Sequence, residues 1–334
     1  MNPPLLTFFC ELKPQDLIAL FDTPELIPQL RQLKAGVSLG ILDFSPERAA
    51  VAKRLNAEGI PVSAWLLLPV EEGYWFNLDN YEAAQRRYRD FQIWTAENQI
   101  TWHHIGLDIE PDLRWLQTLA RDRAGGIRQL VQGVVNRREV ARKTAQYQQL
   151  VDQIRADGYF VESYQLPNIV DERQMGSRLL ARLIGITDLA VDREVLMLYS
   201  SFEPGFSPGR LLSYAPDAQA IGVGSTGGGV EMKEGQTMPA FGWNELRRDL
   251  LLSARYTDWV YIFSLEGCVR QNILPRMLEM DWSADPFIDP GEMLPAAVTR
   301  RAVRGVLWAS AHPTWVAAGL AALIWLGKTL SRRR

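Results

Sequence analysis

The sequence predicts an α/β protein of the (β/α)8 barrel class, and three observations favour this fold. First, eight short apolar segments recur between residues 5 and 265, and stretches with helical periodicity lie between them. Second, these segments are rich in leucine and β-branched residues with little polar alternation, which is typical of parallel strands buried on both faces. Third, glycines close helices directly before strands, as glycines at helix C-termini do. Eight such repeats match a barrel in number and in length.

The best-defined helices between the predicted strands are Pro46–Glu58, Asn80–Glu97 and Trp243–Tyr256. The first of them follows Ser45, a typical N-cap residue, and has proline at its first position. An open, doubly wound sheet is the alternative, and it is less favoured because no G-x-G-x-x-G follows the first strand. The predicted strands are Leu5–Leu12, Val37–Phe44, Pro61–Leu68, His103–Glu110, Tyr159–Gln165, Val195–Ser201, Ala220–Thr226 and Trp259–Leu265.

The domain organisation follows from the same pattern. Residues 1–282 are predicted to form the barrel, with an insertion at 113–157 that is longer than one crossover helix requires. Gly125 and Gly126 divide this insertion into two helical parts, so we expect a helical hairpin after the fourth strand. Turn residues in series then indicate a linker over residues 283–302.

The last segment, residues 303–334, is predicted to be a hydrophobic helix that anchors the protein in a membrane. Val306 to Gly327 is free of charged residues over 22 positions, and a helix of that length spans about 33 Å. Tryptophans and basic residues lie near its ends, as interface anchors do. His312 and Pro313 interrupt the run, so a buried or interfacial terminal helix is the alternative. Because the first residues carry no secretory signal, we expect the barrel on the cytoplasmic side.

Composition and charge exclude several classes of function. The chain has 334 residues, 47% of them hydrophobic, and a formal net charge of -3, so a disordered chain is excluded. This acidic balance lacks the basic footprint of a protein whose main partner is a nucleic acid. Two cysteines and three histidines argue against a disulfide framework and a histidine-rich zinc site, so no metal and no cofactor are predicted. Two basic segments, 113–156 and 300–334, stand out from the acidic body and suit an anionic membrane surface.

Carboxylic and aromatic side chains lie near the C-terminal ends of the predicted strands, where the active sites of barrels are found. This mixture suits a sugar substrate, because cleaving a glycosidic bond needs one carboxyl group held protonated and a second group that stabilises the transition state. Crowding of carboxyl groups raises at least one of their pKa values, which supplies the acid. The candidates are Glu11, Asp43, Trp65, Trp75, Asp108, Glu110, Glu162, Tyr164, Tyr199 and Glu266.

The strongest signal is the segment Ile105–Pro111, which reads IGLDIEP. Residues i and i+2 of a strand face the same side, so Asp108 and Glu110 point together, either into the barrel mouth or out toward the helices. Two acids in an apolar strand are costly unless they are hydrogen-bonded or functional. The alternative to a functional pair is a structural pair, satisfied by helix amides or by a buried arginine.

An Asp-x-Glu at the end of strand four of a barrel resembles the motif of chitinase-type enzymes, glycoside hydrolase family 18, and of the family 25 lysozymes. The resemblance implies that Glu110 is the general acid and that Asp108 orients and tunes it. The run MLYS at 197–200 is loosely similar to the chitinase Met-x-Tyr-Asp. This second similarity implies that Tyr199 supports the acetamido group of the substrate.

The match covers the barrel layout and these two short motifs, and it has three departures. Chitinases carry a further Asp two residues before the Asp-x-Glu, where this chain has Gly106. Ser200 stands where they have an Asp, and their strand-eight Trp is replaced by a region that ends in Glu266. The resemblance therefore supports a carbohydrate-active barrel more strongly than it supports chitin as the substrate.

Taken together, the sequence predicts a glycoside hydrolase-like barrel that acts on a carbohydrate and is tethered to a membrane. Glu110 is the predicted acid, Asp108 its partner and Tyr199 a transition-state support. A non-catalytic barrel that binds sugar or a membrane-tethered partner is one alternative. A phosphate-handling enzyme is another, in which backbone N–H groups of the Gly222–Gly229 loop hold an anion. The predicted substrate-binding residues are Asp43, Trp65, Trp75, Glu162, Tyr164 and Glu266.

Overall fold

The computed structural model describes residues 3–132, 137–202, 207–227, 240–319 and 322. In these residues eight parallel strands pair in sequence order, and the first strand closes the sheet onto the eighth. The prediction of a (β/α)8 barrel is therefore confirmed. The strands are β1 Leu5–Cys10, β2 Gly36–Ile41, β3 Val62–Leu66, β4 His104–Ile109, β5 Phe160–Gln165, β6 Arg193–Met197, β7 Ala220–Gly224 and β8 Trp259–Phe263.

Helices connect the strands and cover the outside of the barrel. Local signals explain where several of them begin: the Ser45 side chain accepts a hydrogen bond from the Arg48 N–H at 3.3 Å, directly before a helix whose first residue is Pro46. The helices are α1 Pro14–Phe21, α2 Leu26–Gln32, α3 Pro46–Ala57, α4 Tyr81–Asn98, α5 Leu113–Arg121, α6 Arg123–Gln132, α7 Arg137–Ala156, α8 Asn168–Gln174, α9 Leu179–Ile184, α10 Ser207–Tyr214, α11 Trp243–Ser253, α12 Leu265–Arg270, α13 Leu274–Leu278 and α14 Pro290–Ala311.

The insertion expected after the fourth strand is present, but it holds three helices, α5, α6 and α7, and Gly125 and Gly126 lie within α6 instead of dividing two helices. The longest of them, α7, is fastened to the segment that precedes α4. The Tyr147 hydroxyl donates a hydrogen bond to Asn80 Oδ1 at 2.8 Å, and Lys143 Nζ pairs with Asp79 at 2.8 Å. The insertion is thus held against the barrel beside the loop that follows β3.

Aromatic side chains fill the interior of the barrel. Successive residues of a strand alternate between the helix layer and the interior, and Phe9 of β1 faces inward. Its ring meets the Tyr164 ring edge-on, with centroids 4.8 Å apart, and the Trp65 ring at 5.1 Å. These three side chains are at most 4% exposed. Close packing of this kind forms a rigid layer of side chains below the C-terminal end of the barrel.

One carboxylate is buried among partners at the N-terminal end of the barrel. Glu162 of β5 accepts a hydrogen bond from Arg193 Nη1 at 2.9 Å, and its Oε1 lies 2.9 Å from His104 Nδ1. The Tyr261 hydroxyl donates to the same oxygen. The Arg193 guanidinium also lies over the Trp259 ring, 4.4 Å from its centroid. These contacts close the lower end of the barrel.

The last described helix, α14, packs along the side of the barrel against α8 and α10. Arg300 pairs with Asp171 at 2.9 Å and with Asp217 at 2.8 Å. Leu307, near the end of the helix, is buried. The first half of α14 occupies residues 290–302, for which the sequence predicted a linker, so this part of the chain is helical and docked on the barrel.

The prediction of a single C-terminal membrane helix, with the barrel on the cytoplasmic side, is wrong. In the part of the chain that the structure describes, no helix combines the length and the apolar character that crossing a bilayer requires. The physical reason is that α14 carries arginines, ends at Ala311 and is separated at His312 from the helical residues 313–319. Residues 320–321 and 323–334 of the predicted anchor lie outside the described residues.

Candidate active site at the barrel mouth

Asp108 and Glu110 lie together at the mouth of the barrel, where β4 ends. Asp108 is 2% exposed, and its Oδ2 accepts a hydrogen bond from Trp65 Nε1 at 3.1 Å. Glu110 is the first residue beyond the strand and is partly exposed. The Phe76 N–H donates to the Asp108 carbonyl at 2.8 Å, and the Glu110 N–H donates to the Phe76 carbonyl at 3.2 Å. The loop after β3 therefore holds the backbone of both acids in place.

Burial raises the pKa values of both acids. Burial, followed by the charge of Glu110, raises the pKa of Asp108 well above its ordinary value. Burial also raises the pKa of Glu110 to about 7, although contact with the Asp108 side chain lowers it in part. A carboxyl group with such a pKa holds its proton on a large share of the molecules at neutral pH, as a general acid must.

Outside its contact with Glu110, one oxygen of Asp108 has no hydrogen-bond partner among the described residues. Its Oδ1 is buried and makes no well-formed hydrogen bond to a described residue. A structural acid pair would have its oxygens satisfied by amides or by an arginine, since an unsatisfied buried oxygen is costly. Among the described residues, no amide or arginine binds this oxygen, which the structural alternative would require.

Glu11 and Tyr74 form a second contact across the mouth. Glu11 is the first residue after β1, and the Tyr74 hydroxyl donates a hydrogen bond to its Oε1. Burial raises the pKa of Glu11 to about 7; the Tyr74 hydrogen bond lowers it, and the charges of Glu266 and Glu110 raise it. Nothing in the local sequence predicts the Tyr74 contact, because 63 positions separate the two residues.

Glu266 is the fourth carboxyl group of the mouth. It lies in the first turn of α12, directly after β8, and is 8% exposed. Neither of its carboxyl oxygens makes a well-formed hydrogen bond to a described residue. Burial raises its pKa to about 7, although nearby Ser264 and the Glu11 backbone N–H lower it in part. Among the described residues, no group of three or more His, Cys, Asp or Glu side chains is arranged to hold a metal ion.

Aromatic side chains surround these acids. Tyr199, two residues beyond the end of β6, is 8% exposed, and its ring lies 5.9 Å from the Phe263 ring. Burial and the charges of Asp108 and Glu110 raise the pKa of Tyr199 well above its ordinary value, so its phenol stays protonated. Trp75 packs edge-on against Tyr74, with centroids 5.5 Å apart. The site thus combines proton donors with apolar walls.

Gly106, the first departure from the chitinase motif, has a packing explanation. A Cβ atom at this position would lie 2.2 Å from the Tyr164 hydroxyl oxygen and 2.5 Å from the Tyr164 Cζ. The Tyr164 phenol, which hydrogen-bonds to Ser38 Oγ at 2.8 Å, therefore occupies the space that a side chain at position 106 would need. Tyr164 was predicted to bind substrate, and the structure places it in the interior, below Asp108.

Ser200, the second departure, points away from the mouth. Its hydroxyl donates a hydrogen bond to Asp249 Oδ2 on α11, and Asp249 is held in turn by Arg248 at 2.9 Å. The neighbouring Ser201 hydroxyl donates to the Gly224 carbonyl at 2.9 Å. These bonds fasten the segment after β6 to the outer helix and so position Tyr199 at the mouth.

Two of the predicted substrate-binding acids lie away from the mouth cluster. Asp43 pairs with the buried Arg48 at 2.8 Å. Burial opposes ionisation of Asp43, but hydrogen bonds from Arg48 and Ser45 outweigh it and lower its pKa to about 2. Glu162 lies at the opposite end of the barrel, in its contact with Arg193 and Tyr261. The structure thus brings together Asp108, Glu110, Tyr199, Trp65, Trp75 and Glu266.

The glycine-rich segment after β7 is described only as far as Gly227, and Gly228 and Gly229 lie outside the described residues. Within the described part, Gly222 has a packing role. A Cβ atom there would lie 3.3 Å from Tyr199 Cε1. The absence of a side chain at Gly222 therefore leaves room for the Tyr199 ring. This packing role explains the glycine without a bound anion.

Comparisons with known proteins give similarity of fold. No family model and no curated protein sequence matches the chain. Similar solved structures include the PgaB (BpsB) glycoside hydrolase domain from Bordetella bronchiseptica, at 11% identity and a TM-score of 0.47, covering 83% of this chain and 98% of that one. The D-allulose 3-epimerase from Methylomonas sp. matches at 13% identity and a TM-score of 0.42, covering 90% and 99%. The D-psicose 3-epimerase from Clostridium cellulolyticum H10 matches at 11% and 0.38, covering 91% and 99%.

Proposed function

We propose that this protein is a carbohydrate-active, glycoside hydrolase-like barrel in which Glu110 is the general acid. Glu110 gives its proton to the oxygen of the scissile glycosidic bond as that bond breaks. Asp108 lies beneath it and positions the Glu110 carboxyl group. The Tyr199 phenol donates a hydrogen bond to the substrate in the transition state.

The convergence of four carboxyl groups on one end of the barrel carries this proposal. Burial raises the pKa values of Glu11, Glu110 and Glu266 to about 7 each, and that of Asp108 well above its ordinary value. Strongly shifted pKa values that cluster in one place are typical of catalytic sites, because burial without full pairing destabilises a fold. The aromatic side chains around these acids add apolar walls that keep the carboxyl groups out of bulk water.

Glycoside hydrolysis by the full chain tests the proposal. Wild-type protein and the Glu110→Gln variant are assayed on a panel of chromogenic glycosides and N-acetylated oligosaccharides. We expect the wild type to hydrolyse at least one of them and the variant to lose about 10²- to 10⁴-fold in kcat on the oligosaccharides, because their alcohol leaving groups need a proton that glutamine cannot donate. Glu71→Gln, at an exposed carboxyl group in the loop after β3, is the matched control and is expected to keep full activity.

The same panel separates the alternatives. Equal rates for wild type and Glu110→Gln, with both proteins folded, would remove Glu110 from the mechanism. Saturable binding of an oligosaccharide without any turnover would favour the non-catalytic sugar-binding barrel. Stabilisation by inorganic phosphate in a thermal shift assay, with no effect of sugars, would favour the phosphate-handling alternative.

A further inference from the structure

Solvent access divides the four carboxyl groups of the mouth into two pairs. Glu11 and Glu110 are each the first residue beyond a strand, and both are partly exposed. Asp108 Oδ1 and both oxygens of Glu266 are enclosed by protein. Asp108 Oδ2 is bound to Trp65 Nε1. A substrate that enters this conformation of the mouth therefore meets Glu11 and Glu110.

We infer that Glu11 is the second catalytic residue of the site, the base that takes a proton from the water that attacks the sugar. This inference rests on the proposed function, in which Glu110 is the acid. It assigns the inverting class of glycoside hydrolysis to the site. Tyr74 is a positioning residue, because its hydroxyl acts through Glu11.

The strand order places the two acids across the mouth from each other, as an inverting reaction needs. Strands β1 and β4 are three steps apart around the closed barrel. With tilted strands about 4.8 Å apart, their backbones lie about 14 Å from each other across the mouth. Backbones at this spacing leave room for a water between two glutamate carboxyl groups, and inverting glycosidases use a carboxyl separation of about 6.5–9.5 Å to admit it.

Tyr74 fixes the position of Glu11. It has a left-handed backbone, with a φ of 69°, and its carbonyl accepts a hydrogen bond from the Leu68 N–H at 2.8 Å. Its hydroxyl donates to Glu11 Oε1, so the proton from water goes to Oε2. A tight loop conformation thus presents one phenol to one carboxyl oxygen.

Glu266 supplies an independent sign that this side of the mouth serves a reaction. It is 8% exposed, both of its oxygens lack well-formed hydrogen bonds, and it lies close to the Glu11 backbone N–H. Its charge adds to burial in raising the pKa of Glu11 to about 7. A carboxylate with this pKa is a far stronger base than an ordinary glutamate and is still largely ionised just above neutral pH.

The reaction balances with these two groups. The proton of Glu110 moves to the glycosidic oxygen as the bond between that oxygen and the anomeric carbon breaks. The oxygen of the water forms a new bond to the anomeric carbon from the opposite face, and one proton of the water moves to Glu11. The products are an alcohol and a sugar of inverted configuration, and exchange with solvent returns the proton to Glu110 and removes it from Glu11.

The experiment uses the full chain and a glycoside that the wild type hydrolyses. For Glu11→Gln we expect kcat to fall about 10²- to 10⁴-fold with little change in KM. For Glu11→Ala we expect added formate to restore part of the rate, which a purely structural role would not produce. For Tyr74→Phe we expect the acid limb of the kcat/KM profile to move to higher pH, because the lost hydrogen bond had lowered the pKa of Glu11. Proton NMR of the first product should show the inverted anomer.

Three results would overturn the inference in distinguishable ways. If Glu11→Gln stays within about 3-fold of the wild type while Glu110→Gln is inactive, Glu11 is not the base and the proposed function stands. A first product of retained configuration also rejects the base role alone. If the wild type hydrolyses no glycoside, the proposed function fails and the role of Glu11 fails with it. Thermal unfolding of each variant checks that it is folded, and Glu71→Gln is the control.

Discussion

At the N-terminal end of the barrel, Glu162 is completely buried and bound by Arg193, His104 and the Tyr261 hydroxyl. At the C-terminal end, Glu266 is nearly as buried, yet neither of its oxygens has a well-formed hydrogen bond. Both are glutamates enclosed by the same fold, so burial alone does not separate a structural carboxyl group from a functional one. The difference lies in the partners: Glu162 is paired with an arginine, whose removal would leave a buried charge alone, whereas Glu266 forms no ion pair with a described residue.

Removing the Arg193 guanidinium at the N-terminal end of the barrel should produce the largest loss of stability. Arg193→Met leaves Glu162 buried without its arginine, and we expect the free energy of unfolding to fall by about 3 kcal/mol. Urea denaturation at neutral pH measures this change. The double variant Arg193→Met with Glu162→Gln should regain part of the loss, since it no longer buries an unpaired charge.

A surface ion pair is the control for this first prediction. Arg155 pairs with Asp192 at 3.0 Å, and both side chains are about 30% exposed, at 32% and 29%. Arg155→Met should therefore cost no more than about 1 kcal/mol. Equal losses for Arg193→Met and Arg155→Met would break the comparison, because the pairing of Glu162 would then contribute no more than an exposed pair.

A second prediction concerns the barrel interior between Glu162 and the mouth, where Gly106 packs against Tyr164. Gly106→Ala brings a methyl group within 2.2 Å of the Tyr164 hydroxyl oxygen, so one of the two must move. We expect a loss of about 2 kcal/mol in unfolding free energy, typical of overpacking. In a Tyr164→Leu background the same change should cost much less, because the phenol is gone.

The control for this substitution is Gly305→Ala in α14. A Cβ atom at Gly305 meets nothing within 4 Å. Alanine is the better helix former, so this variant should be stabilised by about 0.5–1 kcal/mol. If Gly106→Ala lowers the unfolding free energy no more than Gly305→Ala does, Tyr164 does not occupy the space beside Asp108. The explanation for the first departure from the chitinase motif would then be lost.

Strand positions and side-chain direction were predictable from local sequence. Each barrel strand is a short apolar run, and the two-residue period correctly brought Asp108 and Glu110 to one side. The same reasoning did not give the height of a residue along the barrel axis. Glu162 points inward as its period requires, but it is the third residue of β5 and pairs in register with Arg193, the first residue of β6. Height depends on strand register, which no single strand reveals.

Contacts between distant segments account for the other features that the sequence did not predict. Asp43 follows a strand, as a mouth residue should, but Arg48 of the next helix holds it. Tyr74 reaches Glu11 because its backbone, in the loop after β3, is left-handed. This conformation is uncommon for residues other than glycine, so the sequence does not predict it for a tyrosine. The apolar C-terminal run was read as a membrane span, whereas the arginines before it bind α14 to the barrel. Asp43 and Tyr74 thus depend on tertiary contacts that no local pattern contains.

A pH-dependent change in stability sharpens the comparison from the mouth side. Burial raises the pKa of Glu266 to about 7 from an ordinary value of 4.5. In the unfolded chain this acid ionises first, so its contribution to stability is fully present below about pH 4.5 and is lost as pH rises through about 7. Glu266→Gln does not titrate, and between pH 4.5 and 8 it should lose about 3 kcal/mol less stability than the wild type. Urea denaturation at the two pH values measures this difference, with Glu71→Gln as the exposed control. If the wild type, Glu266→Gln and Glu71→Gln lose the same stability between the two pH values, Glu266 is as well satisfied in the folded protein as Glu162. The contrast between the two ends of the barrel would then rest on Asp108, Glu110 and Glu11.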